Sequence, residues 1–293
     1  MAMRECAPYL LEGDILGSSC GSLMAIFLAA GFPMEEIVRA TLHISTLVAE
    51  ASIGALTPGF NFSAILKEIG ETILPEDIAE KINGRCHISM TKVPGFSNML
   101  VSEFASKSDV IDALLCTSYV PYLFGWFPPK FRGIPCIDGF YSNNQPITCD
   151  ETIAVTAFAG VASIRPFDGD EASKLTKLGF PQGPNASLDI TWNNFMRFMM
   201  TCVPPAGEIS LKNCMRGYED GIKYLRSNNL IKCAQCISSS SMKATCSLCE
   251  TAKNESLTKP FPKEILKMFK EATEKEKTSY VVSAWRKTFK FEI

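Results

Sequence analysis

A serine flanked by glycines stands near the start of this chain of 293 residues. Gly17, Ser19 and Gly21 follow a short predicted strand at 14–16 and precede an apolar predicted helix at 22–30. This order is typical of a nucleophile elbow, in which small residues two places either side of the serine avoid a backbone clash. The helix N-terminus would also favour a developing anion. The segment therefore predicts nucleophilic chemistry at Ser19, with a plain Gly/Ser turn as the alternative.

The two histidines do not suit the role of base for this serine. His43 falls within a predicted helix and His87 within a predicted strand, and no histidine follows residue 87. The α/β-hydrolase order of serine, acid and then histidine is therefore not available. A serine hydrolase without histidine needs a lysine or a carboxylate within hydrogen-bond reach of the hydroxyl.

Asp138 is the carboxylate that best fits this need. It ends an apolar predicted strand and is followed by Gly139, although an Asp-Gly pair is also common in turns. A free aspartate has a pKa of about 3.9 and is a poor base for a hydroxyl. Desolvation by apolar neighbours such as Ile137 and Phe140 would raise that pKa. We therefore predict Asp138 as the base.

The elements that must position these residues alternate along the chain. Period-two patterns and β-branched runs predict strands, and helical spacing of apolar residues predicts helices. The predicted strands are 14–16, 86–91, 99–104, 134–138 and 152–158, and the predicted helices are 22–30, 37–48, 61–73, 108–116, 187–202 and 208–228, with a surface loop at 168–184. This alternation predicts a layered α/β fold.

Composition excludes several classes of function. The net charge is −2 and the basic residues are spread along the chain, so no nucleic-acid partner is expected. The apolar stretches at 21–32 and 110–131 are too short or too interrupted to span a bilayer. Residues 1–20 lack the order of a signal peptide. The sequence thus predicts a cytoplasmic protein in a reducing compartment.

Two motifs resemble those of the patatin-like phospholipases, whose Ser-Asp dyad lies in GxSxG and DGG/DGA sequences. They are Gly-Ser-Ser-Cys-Gly-Ser-Leu at 17–23 and Ile-Asp-Gly-Phe-Tyr-Ser-Asn-Asn-Gln-Pro at 137–146. The likeness continues at 84–89, 118–122, 127–139 and 217–225, covers roughly residues 4–230, and is similar to the adipose triglyceride lipase branch.

This resemblance implies a three-layer α/β/α patatin-like fold with Ser19 as nucleophile and Asp138 as base. It also implies hydrolysis of triacylglycerol or a related acyl ester, peripheral residence on lipid droplets or membranes, a lipase co-activator as a candidate partner, and no catalytic cofactor. The sequence does not rank triacylglycerol, phospholipid, retinyl ester or acyl transfer.

Two departures from the family pattern affect this expectation. The family carries a glycine-rich oxyanion loop upstream of the serine, and the chain as given begins too late to include it. One lost oxyanion donor costs about 10²–10³ in rate, so a catalytically impaired pseudoenzyme that binds lipid droplets or regulates a lipase is the alternative. By analogy with other nucleophile elbows, we predict the backbone N–H of Cys20 as one remaining oxyanion donor. The second departure is Phe140, which stands where the motif has Gly or Ala.

A cysteine cluster follows the region of resemblance. Cys233, Cys236, Cys246 and Cys249 form two CxxC pairs that could hold a structural zinc ion, with reduced thiols or disulfides as alternatives. The change in composition after Asn229 predicts a domain boundary between a patatin-like domain at 1–229 and a Cys-rich, helical C-terminal extension at 230–293. This extension could equally be a protein-interaction module.

Two segments are candidates for contact with a lipid surface. Residues 263–293 mix apolar and basic side chains as an amphipathic helix does, but a helix packed on the catalytic domain fits the same pattern. Residues 119–131 are rich in aromatic residues and proline, and either line a core or pocket or touch lipid. Because the expected substrate is insoluble in water, we expect one of these segments to contact lipid.

Overall fold

The computed structural model describes residues 1–168, 188–205, 207–231 and 260–276. The strands are β1 Ile15–Ser18, β2 Ser52–Ala55, β3 Cys86–Lys92, β4 Asn98–Val101, β5 Lys130–Phe131 and β6 Ile134–Asp138. The helices are α1 Ala2–Cys6, α2 Cys20–Ala29, α3 Met34–Ala49, α4 Phe62–Ile73, α5 Ile78–Ile82, α6 Lys107–Thr117, α7 Trp192–Cys202, α8 Gly207–Ser227 and α9 Lys263–Glu276.

Strand β3 is the centre of a mixed sheet. It runs parallel to β1 and antiparallel to β4 and β6, and β5 extends the sheet beyond β6. Residues 88 and 89 pair with both β1 and β4, while residue 90 pairs with both β4 and β6. A strand has two edges, and β4 occupies one edge of β3 along residues 88–91. β1 and β6 therefore lie end to end along the other edge of β3.

Helices α2 and α6 pack against this strand and form the main core. Helix α2 is apolar without interruption from Leu23 to Ala29, whereas α6 has apolar residues at helical spacing. Side chains of both helices meet the alternate apolar residues of β3. The buried set includes Ile26, Phe27, Val110, Leu114, Ile88 and Met90. Helices packed on a mixed sheet confirm the predicted three-layer α/β/α fold class.

Most predicted elements agree with the structure to within a few residues. Helix α7 begins later than predicted because the Thr191 side chain accepts the N–H of Asn194 at 3.1 Å and so caps the helix there. Residues 152–158, predicted as an interior strand, are not one. They form a single bridge between Val155 and Ile164, and Val155 is 59% exposed. A β-branched run becomes a strand only where neighbours cover it.

Helix α9 packs on the body of the protein. Its Ile265 and Phe269 are buried against Val38 of α3, and Thr273 lies beside Gly207 at the start of α8. For residues 263–276 the packed alternative therefore holds, while residues 277–293 lie outside the described part. The domain boundary at 229/230 stays a prediction. None of the helices described is long and apolar enough to cross a membrane.

The two glycines of the elbow differ in the space around them, and this difference predicts opposite effects of alanine. A Cβ at Gly17 would lie 2.3 Å from the carbonyl oxygen of Gly21, whereas a Cβ at Gly21 would meet no atom within 4 Å. Gly17→Ala should lower the free energy of unfolding by about 3 kcal/mol or more. Gly21→Ala, in α2, should keep or raise it by up to about 1 kcal/mol. Urea denaturation measures both, and equal losses would contradict this account.

Candidate functional site

Ser19 occupies a strained turn between β1 and α2. Its φ is 55° and its ψ is −130°, a backbone conformation that side-chain-bearing residues rarely adopt. The turn is sharp enough to bring Gly17 against the backbone of Gly21, which explains why position 17 has no side chain. A serine at the N-cap usually accepts a helix N–H, but the Ser19 side chain makes no such bond. The hydroxyl is therefore not used to cap the helix that it precedes.

Asp138 lies at the end of β6 and is only 3% exposed. Its Oδ1 accepts the N–H of Phe140 at 2.8 Å, and the Ser19 side chain is its second hydrogen-bond partner. Burial raises the pKa of Asp138 to about 6, while the hydrogen bonds from Ser19 and Phe140 oppose that rise. The structure thus brings the predicted nucleophile and the predicted base together.

Adjacent residues of β3 produce this meeting. Ser18 pairs with Ser89, and Asp138 pairs with Met90, so the C-terminal ends of β1 and β6 point towards each other. Two segments almost 120 residues apart in the chain therefore end at neighbouring positions of one buried strand. The separation between the hydroxyl and the carboxylate is set by the sheet rather than by a surface loop.

Gly139 is required by the closeness of these strand ends. A Cβ there would lie 2.3 Å from the carbonyl oxygen of Ser89 and 2.5 Å from the Ser18 hydroxyl. No side chain fits between β6 and its neighbours at this point. The glycine of the Asp-Gly pair is therefore explained by packing against β1 and β3 and not by a turn alone. The larger Phe140 lies one residue further on, where its N–H supports the carboxylate.

Thr117, the last residue of α6, holds the elbow in place. Its hydroxyl donates to the carbonyl oxygen of Ser89 at 2.6 Å and accepts the N–H of Ser19 at 2.9 Å, and the Ser22 hydroxyl lies 3.2 Å from it. The residue is fully buried. One side chain therefore joins β3, the turn and α2. Sequence analysis missed it, because a threonine at the end of an apolar helix carries no local signal.

A cluster of hydrogen-bonded polar side chains fixes the backbone around Asp138. Thr91 donates to the carbonyl oxygen of Asp138 at 2.8 Å and contacts the Ser142 hydroxyl at 2.7 Å. Asn98 donates to Ser142 at 3.0 Å and to Ser89 at 2.8 Å. These side chains come from β3, β4 and the turn after β6. Because each buried hydroxyl has partners, the group is rigid and keeps the end of β6 in register.

The other predicted residues have simpler surroundings. Cys20 is the first residue of α2, so its N–H has no acceptor within the helix and faces the same end as the Ser19 hydroxyl. His87 Nε2 lies 3.4 Å from Asp14 Oδ2, at the opposite end of β1 from Ser19. His43 is exposed on α3. These positions agree with the prediction that neither histidine serves as the base.

The predicted zinc site cannot be placed. Cys233, Cys236, Cys246 and Cys249 lie outside the described residues, and their zinc site stays a prediction. Within the ranges that the structure does describe, no three His, Cys, Asp or Glu side chains are grouped to hold a metal ion.

The chain is similar to known proteins over most of its length. Residues 15–148, which include Ser19 and Asp138, match the family model described as patatin-like phospholipase. Mouse patatin-like phospholipase domain-containing protein 2 is 32% identical over 232 residues, which are 78% of this chain and 47% of that protein. No solved structure gave a significant match.

Two human proteins show a similar likeness. Patatin-like phospholipase domain-containing protein 5 is 34% identical over 233 residues, which are 78% of this chain and 53% of that protein. The protein named 1-acylglycerol-3-phosphate O-acyltransferase PNPLA3 is 32% identical over 231 residues, with 78% and 47% covered. The chain therefore spans about half the length of the curated relatives that it matches.

Removal of the Thr117 hydroxyl should displace the elbow. Thr117→Val leaves the Ser19 N–H and the Ser89 carbonyl without their partner, at a cost of about 2 kcal/mol or more in unfolding free energy. A shift of the hydroxyl at position 19 should slow its reaction with a fluorophosphonate probe by about 10²-fold. Thr117→Ser keeps the hydroxyl and should restore most of the rate. Equal rates for the valine and serine variants would exclude this positioning role.

The buried carboxylate should make folding depend on pH in a defined direction. The folded state raises the pKa of Asp138 from 3.8 to about 6 and thereby favours the protonated carboxyl. The contribution of this group to the free energy of unfolding is therefore complete below about pH 4 and is lost as pH rises to about 6. Asp138→Asn keeps an acceptor for Phe140 but cannot ionise. Its unfolding free energy relative to the parent should be unchanged near pH 4 and higher by up to about 3 kcal/mol near pH 7. Urea titrations at both pH values test this, and a difference independent of pH would contradict it.

Proposed function

Because the chain belongs to the patatin-like phospholipase family, we propose that it is a lipid acyl hydrolase with Ser19 as nucleophile and Asp138 as base. The observation that carries the proposal is the contact between the hydroxyl on the strained turn and a carboxylate that is 3% exposed. A carboxylate with few waters around it is a stronger base than one in solution. The hydroxyl is held where this base can take its proton.

The proposed reaction has two steps. Asp138 accepts the Ser19 proton while Oγ bonds to the ester carbonyl carbon, and the carbonyl electrons move onto oxygen. The N–H of Cys20 and the positive end of α2 stabilise that oxyanion. The bond to the alcohol then breaks, and the alcohol leaves with the proton from Asp138. Water then attacks the acyl carbon and gives a proton to Asp138. The bond from that carbon to Ser19 Oγ breaks, Oγ takes the proton back from Asp138, and the fatty acid is released.

The pKa of about 6 for Asp138 suits this role. At neutral pH the carboxylate is largely ionised and can accept a proton, yet it is basic enough to share one with serine. A histidine is not needed because burial supplies the basicity that an exposed aspartate lacks. The hydrogen bond from Phe140 to Oδ1 holds the carboxylate in a fixed orientation beside Ser19.

For the substrate we propose triacylglycerol or a related neutral acyl ester, presented by a lipid droplet or membrane to which the cytoplasmic protein binds peripherally. The likeness to the lipase branch of the family supports this choice, and a lipase co-activator protein is a candidate partner. One relative is named an acyltransferase for 1-acylglycerol-3-phosphate. The same acyl-enzyme could pass its acyl group to such an acceptor in place of water, so acyl transfer is the second candidate.

Labelling with a fluorophosphonate tests the mechanism. The parent should be labelled at Ser19, Ser19→Ala should not be labelled, and Asp138→Asn should react about 10²–10⁴-fold more slowly. The labelling rate should fall as pH drops through about 6, because protonated Asp138 cannot accept the serine proton. Mass spectrometry of the modified peptide gives the site and the rate.

Ser18→Ala is the matched control for this experiment. The Ser18 hydroxyl is buried one residue from Ser19 and has no hydrogen-bond partner among the described residues. Its removal should leave labelling unchanged. A folded parent that is inert to the probe would instead favour a protein that binds lipid or regulates a lipase without turnover. Release of fatty acid from triacylglycerol emulsions, compared with transfer to lysophosphatidic acid, then separates hydrolysis from acyl transfer.

A further inference from the structure

Three large aromatic side chains are exposed on one loop beside the site. The aromatic loop comprises residues 119–131, and within it Tyr122, Trp126 and Phe127 are 82%, 81% and 88% exposed. The Tyr122 and Trp126 rings meet edge to face with centroids 5.8 Å apart. Isolated exposed aromatics are common, but a cluster of this kind is unfavourable in water and marks an interaction surface.

The backbone of the loop is built to hold these rings outward. Phe124 stacks on Phe62 of α4 with centroids 4.6 Å apart, which fixes the loop to the body. Tyr122 has a φ of 68°, a strained value for a bulky residue, and its N–H bonds to Gly125 at 3.0 Å. One aromatic of the loop is therefore used as an anchor while its neighbours face solvent. Strain that is kept in this way points to a function for the exposed rings.

The loop starts at the candidate active site. It begins two residues after Thr117, which bonds the Ser19 N–H, and the Tyr119 carbonyl oxygen accepts the N–H of Asp138 at 2.9 Å. The loop ends in β5, whose partner strand β6 ends at Asp138. The loop that carries the aromatic rings is therefore attached at both ends to elements that hold the Ser19–Asp138 pair.

The charges near the loop favour an anionic lipid surface. No Asp or Glu occurs from Ala113 to Ile137, while Lys130 is exposed at the end of the loop. Trp and Tyr prefer the boundary between lipid headgroups and acyl chains, and a nearby lysine is attracted to anionic headgroups. The other candidate segment differs, because α9 buries its apolar residues Ile265 and Phe269 against α3 and α8.

We propose that Tyr122, Trp126 and Phe127 insert into a phospholipid surface that carries anionic headgroups, with Lys130 contacting those headgroups. The loop then acts as the interfacial contact that positions the candidate active site at the lipid surface. This inference rests on the proposed function for its purpose, but the insertion itself is independent of turnover. It assigns lipid contact to the aromatic loop and not to the described part of the C-terminal helix.

Single-tryptophan variants of the full chain test insertion directly. The sequence has three tryptophans, Trp126, Trp192 and Trp285. W192F/W285F leaves Trp126 as the reporter, and W126F/W285F leaves Trp192, which is 71% exposed on α7. With vesicles of phosphatidylcholine and a minority of phosphatidylserine, Trp126 emission should shift to the blue and be quenched by brominated lipid. Trp192 emission should do neither. Absent quenching of Trp126 in vesicle-bound protein would overturn the proposal, as would absent binding.

Binding constants from vesicle sedimentation give the second readout. W126S/F127S should weaken binding by at least about tenfold, since each buried ring contributes more than that factor. W192S/F195S, which removes another exposed aromatic pair, should not change it. Lys130→Gln should weaken binding only to vesicles that contain phosphatidylserine. Equal losses in both aromatic pairs would overturn the assignment to the loop.

Turnover of a soluble short-chain ester separates the two proposals. W126S/F127S should keep the parent rate on this substrate while losing activity on vesicle-bound or emulsified esters. If the parent hydrolyses the soluble ester but W126S/F127S binds vesicles as tightly as the parent does, the inference fails and the proposed function stands. If Ser19→Ala protein binds vesicles through the loop and the parent hydrolyses nothing, the function fails and the inference stands.

Discussion

The contact between Ser19 and the buried Asp138 carboxylate depends on how β1 and β6 share one edge of β3. Their ends meet at Ser89 and Met90, which are consecutive residues of the central strand. This arrangement leaves no room for a side chain at Gly139, while the sharp turn after β1 leaves none at Gly17. Gly139 therefore follows from the same constraint as the contact between Ser19 and Asp138. A hydroxyl and a carboxylate can be close in many folds, but here close backbone packing makes their separation hard to change.

The interior around this point combines two kinds of packing. The apolar residues of β3 meet α2 and α6, whereas Ser89 and Thr91 of the same strand join a buried network of hydroxyl and amide groups. The apolar part removes water and raises the pKa of Asp138, while the polar part fixes the backbone on both sides of it. Neither part alone gives a carboxylate that is both desolvated and oriented. Their combination on adjacent elements accounts for the properties of the site.

Much of this arrangement could be predicted from the sequence because its signals are local. The elbow around Ser19 has its own glycine and serine spacing. Periodic patterns of apolar residues mark the helices α3, α4 and α6 and the strand before Asp138. The meeting of residues 19 and 138 came from chemical reasoning and family likeness, since strand pairing over that distance has no local signal. Thr117 could not be found for the same reason. The strand predicted at 152–158 is wrong because β-propensity does not say whether a partner strand exists.

The chain order between Thr117 and β6 has a mechanical consequence. The aromatic loop is tied to Asp138 through the Tyr119 carbonyl and to α4 through the Phe62–Phe124 stack, so a load on its exposed rings is passed to two separate parts of the protein. In the proposed contact with a lipid layer, α4 would carry part of that load. The Ser19 hydroxyl and the Asp138 carboxylate are held at strand ends of the sheet, and the proposed contact would leave their alignment in place.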